Sequence, residues 1–148
     1  LEVLDFLTLA VVIMAEQYAG KWNFVSSDNF EPYLKEVGVG LMTRKMAATL
    51  KPQISFEIEG SKWKMTSVST FKTIVVEFEL DKQFEETTGD GRKCLSTFSL
   101  QDGKLIQEQK AATAGEKDSH FERWIEGNQL IITGQSGEVK FRRVYERA

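Results

Sequence analysis

Arg123 and Arg143 each interrupt an otherwise apolar strand face. Side chains alternate across a strand with a period of two, so Phe121, Arg123 and Ile125 share one side. Phe141, Arg143 and Tyr145 share one side of the last strand-like run in the same way. Arg142 and Glu146, and Glu122 and Glu126, supply the opposite polar faces, with Trp124 as the exception. A guanidinium between apolar neighbours is either a solvated surface charge or a cation kept inside for a guest. Burying it is costly without an anion, so an inward pair implies a carboxylate or phosphate ligand. Tyr145 beside Arg143 adds a hydroxyl able to donate to the same anion.

Little else in the chain offers reaction chemistry. One cysteine, Cys94, excludes an intramolecular disulfide and leaves too little sulfur for a cysteine zinc site. One histidine, His120, makes a histidine metal cluster or a Ser-His-Asp triad hard to build. It reads as a polar strand residue beside Asp118, and Cys94 as a strand residue and not a nucleophile. There is no Gly-x-Ser-x-Gly elbow. The expected protein is therefore not an enzyme and carries no metal or cofactor. The net charge of −3 argues weakly against nucleic acid as a partner. A length of 148 residues, 41% hydrophobic and 28% charged, describes one globular domain large enough for a core.

The elements that must position the arginines are mostly strands. A first strand reads from Tyr18 to Ser26, followed by Ser27-Asp28-Asn29 as capping chemistry. Phe30, Tyr33, Leu34 and Val37 then recur at helical spacing, with Pro32 tolerable in the first turn. Gly38-Val39-Gly40 stops that helix, and a second is expected from Leu41 to Leu50. After Pro52, turn signals fall at Glu59-Gly60, Phe71-Lys72-Thr73, Asp81-Lys82, Gly89-Asp90-Gly91, Asp102-Gly103, Ala114-Gly115, Gly127-Asn128 and Ser136-Gly137. That rhythm marks an antiparallel sandwich or barrel of about ten strands. Closing that many strands into a barrel removes exposed edges and leaves room inside for a ligand beside the inward side chains.

The first residues stand apart. Phe6 to Ala15 is an apolar run too short to span a bilayer. Met14-Ala15-Glu16 resembles a native start, which makes residues 1–13 an N-terminal extension and 14–148 the barrel domain. The alternative is the end of a signal peptide over residues 1–15, although Glu2 and Asp5 are acidic where a basic segment belongs.

From Tyr18 to Ala148 the chain resembles the intracellular lipid-binding protein family, fatty-acid-binding proteins in particular. The likeness rests on Gly20-Lys21-Trp22-Asn23-Phe24, Asn29-Phe30-Glu31 and Tyr33-Leu34. It continues through Ser69-Thr70-Phe71-Lys72, Phe84-Glu85-Glu86-Thr87-Thr88 and Asp90-Gly91-Arg92-Lys93. Asp102-Gly103-Lys104-Leu105 and Arg143-Val144-Tyr145-Glu146 complete it. The resemblance implies an all-β fold: a ten-stranded antiparallel up-and-down barrel capped by a helix-turn-helix lid, enclosing a cavity. It implies a non-catalytic carrier whose ligand carboxylate meets Arg123, Arg143 and Tyr145. Retinol-binding members have glutamines at the arginine positions, so two arginines imply an acid. Long-chain fatty acid is the leading ligand, with retinoic acid or another bulky hydrophobic acid as the alternative.

Phe71 matches the family's portal phenylalanine, which meets the acyl tail. Lys35, Arg44 and Lys45 lie on the helical pair and suit transient contact with anionic membranes. Glu31 and Glu36 dilute that charge, which favours a solvated helix face. Trp22 and Trp63 read as packing residues. The chain departs from the family pattern in a longer turn over Ala111 to Lys117 and in Gly91, where an acidic residue is common. A monomer in the cytoplasm is expected, or a secreted protein if residues 1–15 end a signal peptide. Energetically the tail dominates: about fifteen methylenes offer about 12 kcal/mol before ordering costs. The arginines select and orient the head group, because desolvation cancels much of their attraction.

Overall fold

The computed structural model describes residues 6–148. Of the expected extension, residues 1–5 lie outside the described residues. The chain opens with helix α1 (Phe6–Glu16), then β1 (Gly20–Asp28), α2 (Phe30–Glu36) and α3 (Leu41–Thr49). Nine further strands follow: β2 (Gln53–Glu59), β3 (Lys62–Val68), β4 (Thr73–Glu79), β5 (Phe84–Thr87) and β6 (Lys93–Gln101). The last are β7 (Lys104–Ala111), β8 (Ser119–Glu126), β9 (Gln129–Ser136) and β10 (Val139–Arg147).

All ten strands form one antiparallel sheet in the order β4-β3-β2-β1-β10-β9-β8-β7-β6-β5. Each consecutive pair from β2 to β4 and from β5 to β10 is a hairpin, and β1 joins the two sets. A bulge between Phe24 and Ser26 bends β1, which pairs with β2 through Gly20–Trp22 and with β10 through Trp22–Asp28. β4 and β5 are the two ends of the sheet, so the barrel is nearly closed. The expected turns lie between the strands. At Asp102-Gly103 both residues have positive φ, 51° and 81°, the backbone that a two-residue hairpin requires.

Two aromatic clusters fill the ends. Toward the base, Tyr18 packs on Trp63 (5.5 Å between ring centroids) and Phe78 stacks on Phe98 (3.7 Å). Trp22 and Trp63 are buried here, as packing residues. Under the lid, Phe30 and Tyr33 of α2 meet Phe141 at 5.0 and 4.8 Å, and Phe121 joins them. Gly134 makes that second cluster possible. It pairs with both Phe121 and Phe141, and a Cβ there would lie 2.0 Å from the Phe141 ring.

Two local expectations change, and one helix is new. Residues 17–19 form a turn before β1, with the Tyr18 amide donating to Ala15 O, so the first strand starts at Gly20. Asn29 precedes α2 in a left-handed conformation without capping it; its side chain donates to Lys140 O (2.7 Å) and ties the lid to β10. Residues 6–16 form a helix with no glycine or proline, exposing Phe6, Leu9, Val11, Val12 and Ile13. No helix among the described residues is long and apolar enough to cross a membrane.

Candidate functional site

The strand register places the two arginines on one rung. Arg123 of β8 and Arg143 of β10 both pair with Ile132 of the intervening β9. Neighbouring strands lie about 4.8 Å apart, so the two backbones are separated by roughly 10 Å with both side chains on the inner face. The rung above is Phe121–Gly134–Phe141, and the rung below is Ile125–Leu130–Tyr145. An aromatic rung, a cationic rung and the Tyr145 rung are thus stacked along the inner wall.

Both arginines are buried, at 7% and 6% exposure. Arg123 donates through Nη2 to Gln107 Oε1 (3.0 Å), and its Nε and Nη1 have no hydrogen-bond partner among the described residues. Its guanidinium lies 5.5 Å from the rings of Phe98 and Phe121. Burial pulls its pKa down to about 10, against the opposing charge of Glu86. Arg143 donates through Nε to the Tyr145 hydroxyl (3.2 Å) and through Nη1 to Ser27 Oγ (3.1 Å). The rings of Phe30 and Phe24 sit 4.3 and 5.0 Å from its guanidinium. Because Tyr145 accepts from Arg143, its own proton remains for an anionic guest.

A second set of polar residues stands behind Arg123. Glu86 Oε1 accepts from Ser96 Oγ (2.7 Å), Gln107 Nε2 (3.1 Å) and Gln109 Nε2 (3.0 Å). Gln107 therefore bridges a carboxylate and a guanidinium, which orients its amide and holds Arg123 in place. Sequence reasoning missed these residues. The available signal was polar Gln107 and Gln109 in register with apolar Leu105 on one face of β7.

A cavity of about 330 Å³ is lined by Arg123, Arg143 and Tyr145 together with Phe71, Met65, Ile74, Gln107 and Arg92. Phe71 is 58% exposed in the turn between β3 and β4, so it stands at the edge of the cavity and not inside it. All four residues singled out for ligand contact thus border one space. The lid cations are placed differently: Lys45 and Arg44 both reach Glu31 (2.7 and 3.8 Å), while Lys35 is exposed. The longer turn after β7 carries Lys117, which pairs with Glu36 of α2 and fastens the turn to the lid. Cys94 is buried on β6, and burial raises its thiol pKa, as for a packing residue.

The family model described as "Lipocalin / cytosolic fatty-acid binding protein family" matches residues 19–148. The chain belongs to that family. Fatty acid-binding protein homolog 5 of Caenorhabditis elegans is 49% identical over 133 residues, covering 90% of this chain and 98% of that protein. The adipocyte fatty acid-binding protein of Pygoscelis papua is 41% identical over 135 residues, covering 91% and 100%. The crystal structure of apo Caenorhabditis elegans lipid binding protein 8 superposes with a TM-score of 0.88 at 34% identity, covering 90% of this chain and 96% of that one. A Schistosoma mansoni fatty acid binding protein in complex with arachidonic acid gives 0.83 at 30% identity, covering 88% and 96%. The fatty-acid-binding proteins are non-catalytic carriers.

Proposed function

We propose that this fatty-acid-binding protein family member carries long-chain fatty acids, with the carboxylate between Arg123, Arg143 and Tyr145 and the acyl tail running toward Phe71. The observation that carries this reading is the shared rung: two buried guanidinium groups flank Ile132 in one cavity, and Arg123 keeps two donor nitrogens without partners among the described residues. A carboxylate accepts from both arginines and from the Tyr145 hydroxyl, and it offsets the charge that burial penalises. The relative that holds arachidonic acid supports a fatty acid as the guest.

Residues 14–148 are taken as the lipid-binding domain and 1–13 as an extension, and the family description supports a cytoplasmic location. The protein acts as a monomer. Leu41, Met42 and Met46 of the lid are exposed, which suits transient lid contact with membranes during loading.

Calorimetric titration with oleate and oleyl alcohol tests the assignment in the parent protein and in Arg143→Gln. Oleate affinity is expected to fall about tenfold or more, with the alcohol nearly unchanged. Equal losses for both ligands would mean that Arg143 does not read the carboxylate. Retinoate displacing oleate at lower concentration would make the retinoid the better ligand.

A further inference from the structure

We propose that the lid end of the cavity holds a second polar subsite, centred on Arg92, that takes a neutral oxygen on the acyl tail. The ligand class is then an oxygenated fatty acid: a hydroxy, epoxy or oxo acid. The inference rests on the carboxylate reading above and specifies the other end of the same ligand.

Arg92 lines the cavity that Arg123 and Arg143 line. Arg123 pairs with Leu105 and Leu105 with Leu100, so Leu100 marks the level of Arg123 on β6. Arg92 stands just before Lys93, the first residue of that strand, and so enters the cavity wall at a different level. Arg92 and Arg123 therefore border one cavity from different levels of its wall, so an acyl chain whose carboxylate meets Arg123 can pass Arg92 along its length.

The chemistry of the two ends differs. Arg92 donates through Nε and Nη2 to the two oxygens of Asp90 (2.9 and 3.3 Å), and Thr88 donates to Asp90 at 2.8 Å. Its charge is already offset and its guanidinium plane fixed. What remains is Nη1, buried and without a hydrogen-bond partner among the described residues. Two neighbouring polar groups are engaged elsewhere: the Tyr33 hydroxyl with Ser119 Oγ (2.7 Å), and Gln109 with Glu86. A single donor whose positive charge is spent calls for an acceptor oxygen without charge. A second carboxylate would face Asp90 as well as Arg92. A plain methylene tail laid over Nη1 leaves that donor unsatisfied, whereas a hydroxyl, epoxide or keto oxygen satisfies it.

The test is calorimetric titration of the full chain with stearate, a set of hydroxystearates with the oxygen walked along the chain, and octadecanedioate. One hydroxyl position is expected to bind about tenfold more tightly than stearate, with positions either side gaining less. In Arg92→Met the ratio of hydroxystearate to stearate affinity is expected to fall to near one. The proposal is overturned if no position gains in the parent protein, if the gain survives Arg92→Met, or if octadecanedioate gains more than every hydroxystearate. The walk along the chain uses the parent protein, so it decides the question even if Arg92→Met does not fold. Failure of stearate itself to bind would instead overturn the carboxylate reading.

Discussion

The hydroxyl of Tyr18 lies 2.9 Å from the backbone carbonyl oxygen of Arg123 and 2.6 Å from that of Gly103. A residue from the turn before β1 is thereby fastened to the backbone of a site arginine 105 positions later. Tyr18 is fully buried, its carbonyl accepts from the Trp22 indole (3.0 Å), and burial pushes its own pKa up to about 12. It closes the base of the barrel. Tyr18→Phe keeps the ring but removes the one proton that the Arg123 and Gly103 carbonyls share. It is expected to lower unfolding free energy by about 1–3 kcal/mol in urea denaturation. A loss within experimental error would mean that the hydroxyl contributes nothing to closure.

The absence of a side chain at Gly134 is a packing requirement, not a demand for unusual backbone. A methyl there would lie 2.0 Å from Phe141 and 2.8 Å from Phe121, the rings that receive α2. Gly134→Ala is expected to destabilise the protein by about 1–3 kcal/mol through overpacking. Adding Phe141→Leu should recover part of that loss, because it removes the atoms that clash. Simple additivity of the two substitutions would refute the steric explanation.

How much of this was legible depends on local contrast. Arg123 and Arg143 were visible because each stands between apolar residues on its own face, and the eight turns because glycine or a charged residue marks nearly all of them. Glu86 was not visible: in Phe-Glu-Glu-Thr-Thr it stands beside another glutamate and a threonine, so nothing separates inside from outside. Gln107 and Gln109 were hidden in Leu-Ile-Gln-Glu-Gln, where neither face is consistently apolar. Arg92 entered only as part of a family motif, since its distinguishing property is one buried N–H that a pattern cannot express. Residues 6–16 gave no helical period because they are apolar on every side, with Val11, Val12 and Ile13 weakening helix propensity.

His120 clamps the outer face of β7 and β8 in a pH-dependent way. Its Nδ1 faces Glu108 and its Nε2 faces Glu122 at 3.0 Å, with Lys104 also on Glu122 at 3.3 Å. Burial pulls the imidazole pKa down, but the hydrogen bonds to Glu122 and Glu108 outweigh it and leave the value raised. A raised value means that the folded state holds its proton more tightly, so this stabilisation is complete below about 6.5 and fades as pH rises through the folded value. The Glu122 carboxyl is held low, first by its hydrogen bond to His120, so its share is lost only in acid. The melting-temperature gap between the parent and His120→Gln should be widest near pH 6 and shrink by pH 9. A gap that does not change with pH would exclude the charged clamp.

Arg123 sets stability against binding. Its guanidinium is buried with two donor nitrogens unpartnered among the described residues, and burial lowers its pKa to about 10 where 12.5 is ordinary. That depression corresponds to roughly 3 kcal/mol of penalty on the charged form in the unliganded protein. Replacing it with methionine removes the penalty and fills the same space, at the cost of the charge-assisted Gln107 hydrogen bond, worth about 1.5–3 kcal/mol. Arg123→Met is therefore expected to make the ligand-free protein more stable by up to about 1.5 kcal/mol in urea denaturation. The same variant should bind oleate at least tenfold more weakly, because the carboxylate loses the donors that the parent holds unfilled. A variant less stable than its parent would show that the Gln107–Glu86 network depends on Arg123 more than burial penalises it. A more stable variant that still binds oleate at full strength would remove Arg123 from the site.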